Sequence, residues 1–369
     1  TIFQDGGRKM KTEYRTFQFS LLAMAPIHTG SGDKYTSREF IYEDGYFYFP
    51  DMGKFYNRMV EKGYDQKFER FLQERKPRAS NNRLISFLED NRISDRDFGG
   101  YRIKETGLET EENDNDSKLG AINEVVKFMR DPFGTPYIPG SSLKGAIRTI
   151  LMNTNPDWNN KKVVDTRGKR PKENKNMISW GAKKGKEFND LFNAIRVSDS
   201  KPFSNESLIL VQKWDCSAKL LKVKPLPLYR EAIAPLTKVE FTITTTTAEA
   251  ATLIEKLEDR ALEFYKGYKN FFLKDFPEDK LQDNIDYPIY LGAGSGAWTK
   301  TIFKQANGII QDRHKKPVQT KMKGKGVLKL TKAPILKQDD SVQPSKLIKN
   351  DESFYEMGKA NFMIKEILQ

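Results

Sequence analysis

The stretch Tyr137–Ile138–Pro139–Gly140–Ser141–Ser142–Leu143–Lys144–Gly145–Ala146–Ile147–Arg148 decides how the chain is read. An extended run over 135–138 meets Pro139 and Gly140, the residues that most strongly interrupt a strand, and a helical pattern follows. The spacing predicts a short strand over 135–138, a tight turn, and a helix over 141–152 capped by Ser141 or Ser142. Free N–H groups and the dipole at a helix start favour an anion. Lys144 and Arg148 lie four apart, on one face of the first turns, where they can clamp one phosphate path. The same residues also fit a plain strand–helix junction carrying two solvated cations.

Two other glycine-rich junctions share this plan. Gly292–Ala293–Gly294–Ser295–Gly296–Ala297–Trp298–Thr299–Lys300 joins a strand over 287–291 to a helix over 297–305. Its spacing matches neither a Walker loop nor a Rossmann fingerprint. Alternating glycines, with Ser295 between two of them, let backbone approach a sugar-phosphate chain closely. Trp298 suits base stacking and Lys300 a phosphate, although a Trp at a helix start is also a common core residue. Earlier, His28–Thr29–Gly30–Ser31–Gly32 ends a first strand over 14–25, in which Phe17, Phe19, Leu21 and Ala23 alternate with other residues.

Charge points in the same direction. The 369 residues carry a net +13. Residues 160–190 hold ten Lys or Arg against four acids, and 311–332 hold eight against one, so these two strips equal the whole excess. Charge gathered into strips is the footprint of a phosphate backbone, and otherwise of a solvated face or an acidic protein partner. A lipid surface is disfavoured, because no basic amphipathic helix with an apolar face stands out. The 24 Phe and 15 Tyr are enough to build a core. There is one cysteine, Cys216, and no apolar run of about 18 residues, so the expectation is a cytoplasmic protein without a membrane span. Residues 1–9, ahead of Met10, read as a leader.

Hairpins mixed with helices predict an α+β fold with antiparallel sheets and helices on one face. A hairpin is expected over 40–50 around Asp44–Gly45, and helices over 54–76 and 248–272. Strands are expected over 207–211, 238–244 and 326–330, and a closing helix from about Ser353. Residues 91–117, with six acids and no base over 105–116, read as an inserted loop or hairpin. The division expected is 10–215, with the basic loop 160–190, and 216–369, with the glycine loop 292–296.

Catalysis has little to work with. One Cys and two His cannot supply a typical zinc set, and no apolar scaffold holds the acids of 105–116 for a two-metal site. No cofactor is called for. His28 remains as the base of a metal-independent ribonuclease, with His314 far away in the sequence, or as a hydrogen-bonded linker.

The strings APIHTGSG, FMRDPFGTPYIPGSSLKGAIRTIL, PLPLYREAIAPLTKVEF (225–241), YPIYLGAGSG and FYEMGK (354–359) occur in an order that resembles the RAMP superfamily of CRISPR systems. The resemblance is nearest to the subunit-five family of Csm-type, type III-A effector complexes, and covers most of the chain from Tyr14. It implies two RRM-like (ferredoxin-like) units whose glycine loops lie against RNA. The expected RNA-binding residues are His28, Gly30, Ser31, Gly32, Gly140, Ser141, Ser142, Lys144, Arg148, Gly292, Gly294, Ser295, Gly296, Trp298 and Lys300. It further implies a non-catalytic antiviral ribonucleoprotein subunit that binds the 3′ region of crRNA and caps the filament of neighbouring backbone subunits. Support of guide 3′-end maturation through recruited nucleases is implied too, as is target RNA as a further partner. Residues 91–117 are a candidate thumb. The target-cutting sister subunit carries an aspartate shortly before its own IPGSS segment. Here Asn123–Glu124–Val125–Val126–Lys127 has none, and Glu124 is only an approximate match.

Overall fold

The computed structural model describes residues 12–74, 83–106, 108, 122–155, 164–165, 172–173, 191–282, 286–300, 309–311, 317–319, 326–333 and 354–367. The acidic stretch 109–116 and most of both basic strips lie outside them.

The alternation in the first strand is used as its period dictates. Thr12–Ala23 buries Phe17, Phe19, Leu21 and Ala23 and sits at the centre of a five-stranded sheet. The order across that sheet is Pro288–Tyr290, Lys359–Ile367, Thr12–Ala23, Lys238–Thr247 and Ile195–Val197, every pairing antiparallel. Helices Gly140–Thr154 and Leu257–Phe271 pack against each other over one face. Leu143, Ile147 and Phe264 join Phe19, Phe241 and Phe362 in one core. Burial at this density is the main drive for the fold, about 25 cal/mol per Å² of apolar surface.

A second sheet of nine strands is mixed. Its main path runs Gly30–Thr36, Glu124–Phe128, Val223–Ile233, Leu208–Ser217, Tyr101–Glu105, Tyr46–Phe49 and Ile41–Glu43. Two of these pairings are parallel, Glu124–Phe128 with Val223–Ile233 and Tyr101–Glu105 with Leu208–Ser217. Val327–Lys332 pairs with the far part of Leu208–Ser217 and carries Phe354–Glu356. Helices Met52–Glu61, Asp65–Gln73 and Leu84–Asp90 cover a separate small core of Phe55, Met59, Phe68, Phe87, Leu88 and Phe98.

The α+β expectation and the hairpin at Asp44–Gly45 hold: both residues take positive φ, 52° and 75°, as the turn requires. Other expectations are corrected. The helix over 54–76 is two helices, broken at Gly63, and that over 248–272 divides at Lys256 into Ala248–Glu255 and Leu257–Phe271. The strand over 135–138 reduces to one bridge, Arg130 to Pro136. The closing helix is instead two strands, Phe354–Glu356 and Lys359–Ile367, around Gly358 at φ 84°. Its residues alternate, with Ala360 and Phe362 buried and Met363 and Lys365 exposed, which is the strand period.

The division expected at 215/216 meets a continuous strand. That boundary falls inside strand Leu208–Ser217, and each sheet takes strands from both sides of it. Within 91–117, Tyr101–Glu105 is an integral strand between two others, and the acidic stretch 109–116 lies outside the described residues.

Candidate nucleic-acid interface

The three glycine-rich junctions meet. Thr29 and Gly30, Ser141, Ser142, Gly145, Arg148 and Thr149, and Tyr290 to Ala293 with Thr299 and Lys300 line one groove of about 500 Å³. One wall is the first turns of helix Gly140–Thr154; the other is the loop after strand Pro288–Tyr290. Ala293 N donates to His28 O at 2.7 Å, which closes the floor.

The glycines make this junction possible. A Cβ at Gly140 would lie 2.3 Å from Ser198 O and 2.4 Å from Val197 O, so only glycine lets the helix start against that strand end. At Gly292, φ is 79° and a Cβ would meet His28 O at 2.3 Å. Both glycines therefore serve protein packing at these positions. Gly294 and Gly296 lie further along the same loop, and Gly30 sits directly over His28 Nε2. Ser31 and Gly32 stand exposed in an irregular edge-strand pairing, outside the groove lining.

Several polar residues take other roles than expected. Neither serine caps the helix; Asp199 Oδ1 accepts from Gly140 N at 2.8 Å instead. Lys144 Nζ donates to Ile195 O at 2.7 Å and ties the helix to its neighbouring strand, while Arg148 alone of the pair lines the groove. The Arg148 guanidinium stands 5.4 Å from the Phe192 ring centre. Trp298 is 3% exposed and packs edge-on to Phe271 at 4.9 Å, so it is core and no stacking platform. Ser295 is buried, its Oγ donating to Gly292 O at 3.1 Å.

His28 is 2% exposed. Its Nδ1 donates to Glu231 O at 2.6 Å, and burial, then the charge of Arg230, push its pKa down to about 4. The imidazole is thus enclosed, with its Nδ1 engaged by a backbone carbonyl. Glu124 is exposed and paired with Lys34 at 2.5 Å.

The sequence reading missed the scaffold behind the groove. Glu231 is fully buried and accepts from Tyr101 Oη at 2.6 Å, Arg130 Nη2 at 2.9 Å and Phe128 N at 2.6 Å. Arg130 stacks on Tyr101 at 4.1 Å. This network joins three strands of the mixed sheet and, through the Glu231 carbonyl, holds His28 and thus the groove floor. Thr29, also missed, lines the groove with a buried Oγ1 that has no partner among the described residues. One signal was present: Glu231 interrupts the apolar run LYREAIAP, where a buried carboxylate is tolerated only in a satisfied polar network.

A family model of the RAMP superfamily matches residues 21–297. A Streptococcus thermophilus protein named CRISPR system Cms protein Csm5 is 69% identical over 358 residues, 97% of this chain and 99% of that protein. A Mycobacterium tuberculosis protein of the same name is 27% identical over 384 residues, 96% and 99% of the two chains. Among solved structures, the crystal structure of T. onnurineus Csm5 matches with a TM-score of 0.51 at 19% identity, over 76% of this chain and 90% of that one. A chain of the cryo-EM structure of a Csm–crRNA–target RNA ternary complex from a type III-A CRISPR–Cas system matches with a TM-score of 0.59 at 18% identity, over 95% and 100%. These two likenesses show the shared fold. The chain belongs to the RAMP superfamily, the class of proteins that this fold and these glycine junctions define. Within it, its place is in the Csm5 family of CRISPR systems.

Proposed function

We propose that this chain is an RNA-holding, non-catalytic subunit of a type III-A CRISPR ribonucleoprotein in the cytoplasm. In this reading it binds the 3′ region of crRNA, caps the filament of backbone subunits and supports guide 3′-end maturation in antiviral defence. Target RNA, the neighbouring backbone subunits and recruited nucleases are its further partners. The observation that carries the reading is the groove itself: three junctions far apart in sequence build one cleft that offers Arg148, Lys300, two serines and a Thr29 hydroxyl without a partner among the described residues. Such a lining contacts phosphates and sugars rather than base edges, which suits a guide of any sequence. The solved ternary complex, with a chain of this fold beside crRNA and target RNA, supports the same assignment. The enclosed state of His28 weighs against a His28-dependent endoribonuclease.

The test uses Gly145, which lines the groove and where a Cβ meets nothing within 4 Å. Gly145→Asp places a carboxylate in the cleft without backbone strain. Filter binding of guide RNA should weaken at least about tenfold while thermal stability holds, and Arg148→Gln should lower the salt slope by ~0.7, one single-strand phosphate contact. Unchanged affinity and unchanged guide 3′ ends in both variants, in assembled complexes, would falsify the reading.

A further inference from the structure

Arg230 is a buried charge with no carboxylate partner among the described residues. It is 7% exposed, and its Nη1 donates to Ala293 O at 3.0 Å. Its Nε has no hydrogen-bond partner among them either. Burial alone pulls its pKa down to about 10. A guanidinium enclosed without a counter-charge is costly, and a fold tolerates it where an anion is to arrive.

Its surroundings are cationic. Val211 pairs with Arg230 and Asp215 with Lys329, which puts Lys213, Asp215, Lys329 and Arg230 on one face of the mixed sheet. Lys329 Nζ reaches both carboxylate oxygens of Asp215 at 2.9 Å, and Lys213 Nζ lies 3.6 Å from one of them. The two lysines thus share a single carboxylate, and Arg230 beside them has none among the described residues. Lys213 is held below its ordinary pKa by burial first, then by Lys329, with Arg230 adding to it. The loop Gly292–Gly296 borders this face. A Cβ on Gly294 would stand 2.7 Å from Arg230 Nη1, and one on Gly296 3.8 Å from Lys329 Cγ. Residues Gly292 and Ala293 of the same loop line the groove. The side chains of Lys213 and Lys329 remain 18% and 24% exposed, within reach of a ligand.

We propose that Lys213, Lys329 and Arg230 form a second anion site, for a phosphate group, bordered by the loop Gly292–Gly296. The two lysines contact the anion, and Arg230 supplies counter-charge from beneath. Asp215 holds the lysines in place until the phosphate arrives. An RNA strand that leaves the groove across this loop presents its next phosphodiester here. That source rests on the RNA-holding function; the site itself does not.

The test compares the full-length wild type with Arg230→Gln, with the double variant Lys213→Gln/Lys329→Gln, and with Asp215→Asn. One arm measures thermal stabilisation by inorganic phosphate against chloride at matched ionic strength. The other measures the salt dependence of single-stranded RNA binding. The phosphate-specific shift is expected to vanish in the first two and to grow in Asp215→Asn, because a competing carboxylate is gone. The RNA salt slope should become shallower by ~0.7 to ~1.4, one or two contacts. The surface double variant keeps the test decisive if Arg230→Gln fails to fold. A lost phosphate shift with an unchanged RNA slope supports the site with free phosphate as its occupant, and a reduced slope alone supports RNA as the sole occupant. If the wild type binds no RNA, the proposed function fails while the phosphate arm still decides this site. Variants that retain both the phosphate shift and the slope overturn the proposal.

Discussion

His28 shows how a single residue is redefined by its surroundings. Its imidazole is neutral in the folded protein and ordinary in the unfolded chain, with pKa values of about 4 and 6.5. Between those values the unfolded state binds the extra proton, so stability rises with pH across that window and is lost as pH falls through it. The full span corresponds to about 3 kcal/mol. His28→Asn has an amide donor for Glu231 O and cannot titrate. Urea midpoints measured between about pH 7 and about pH 4 should fall more steeply for the wild type than for this variant. Equal slopes would mean that another group carries the pH dependence. Glu231 matters through its partners. Replacing it with Gln removes the carboxylate counter-charge of the half-buried Arg130, and should cost about 3 kcal/mol, visible as a lowered unfolding midpoint. Neither role can be read from a residue type, because both depend on strands that the sequence separates by 203 and 101 residues.

At the scale of elements, helix Gly140–Thr154 is the part that sequence reading located best. Its apolar face, Leu143, Ile147, Ile150 and Leu151, follows the helical period and is buried as that period dictates. What governs its start is not the local serines but Asp199 from another segment, and the close approach of Ser198 O to Gly140. Gly140→Ala should therefore destabilise the protein by about 2 kcal/mol or more through overpacking, although alanine favours helix. Gly145→Ala, in the open, should stabilise it by up to about 1 kcal/mol. Thermal melts of the two variants check the contrast, which rests on the surroundings of each glycine. The chain's end gives the converse lesson. Read as a helix, Lys359–Ile367 is a strand, because a short amphipathic segment is ambiguous until a partner edge exists for it.

Across the whole molecule, the first and last described strands are neighbours. Thr12–Ala23 is flanked by Lys359–Ile367, and Arg15 binds Glu366 across that seam and Glu255 at the end of helix Ala248–Glu255, both at 2.6 Å. A chain truncated before Lys359 would expose the long edge of Thr12–Ala23, strip Pro288–Tyr290 of its partner and remove Phe362 from the core. Such a chain should be recovered as aggregate, as size-exclusion chromatography would show; a monodisperse product would contradict the sheet order. By itself the sequence determined the fold class, the family resemblance, the three glycine junctions and the concentration of positive charge, since periodicity, turn chemistry and composition are local properties. Only the tertiary structure decided that the three junctions form one groove and that Gly140 and Gly292 serve packing. It also decided that Lys144, Trp298 and His28 face protein, and that Arg230 has no carboxylate partner among the described residues. Those outcomes depend on which distant segments come within a few ångströms of one another, and pairing between strands far apart in the chain leaves no local trace.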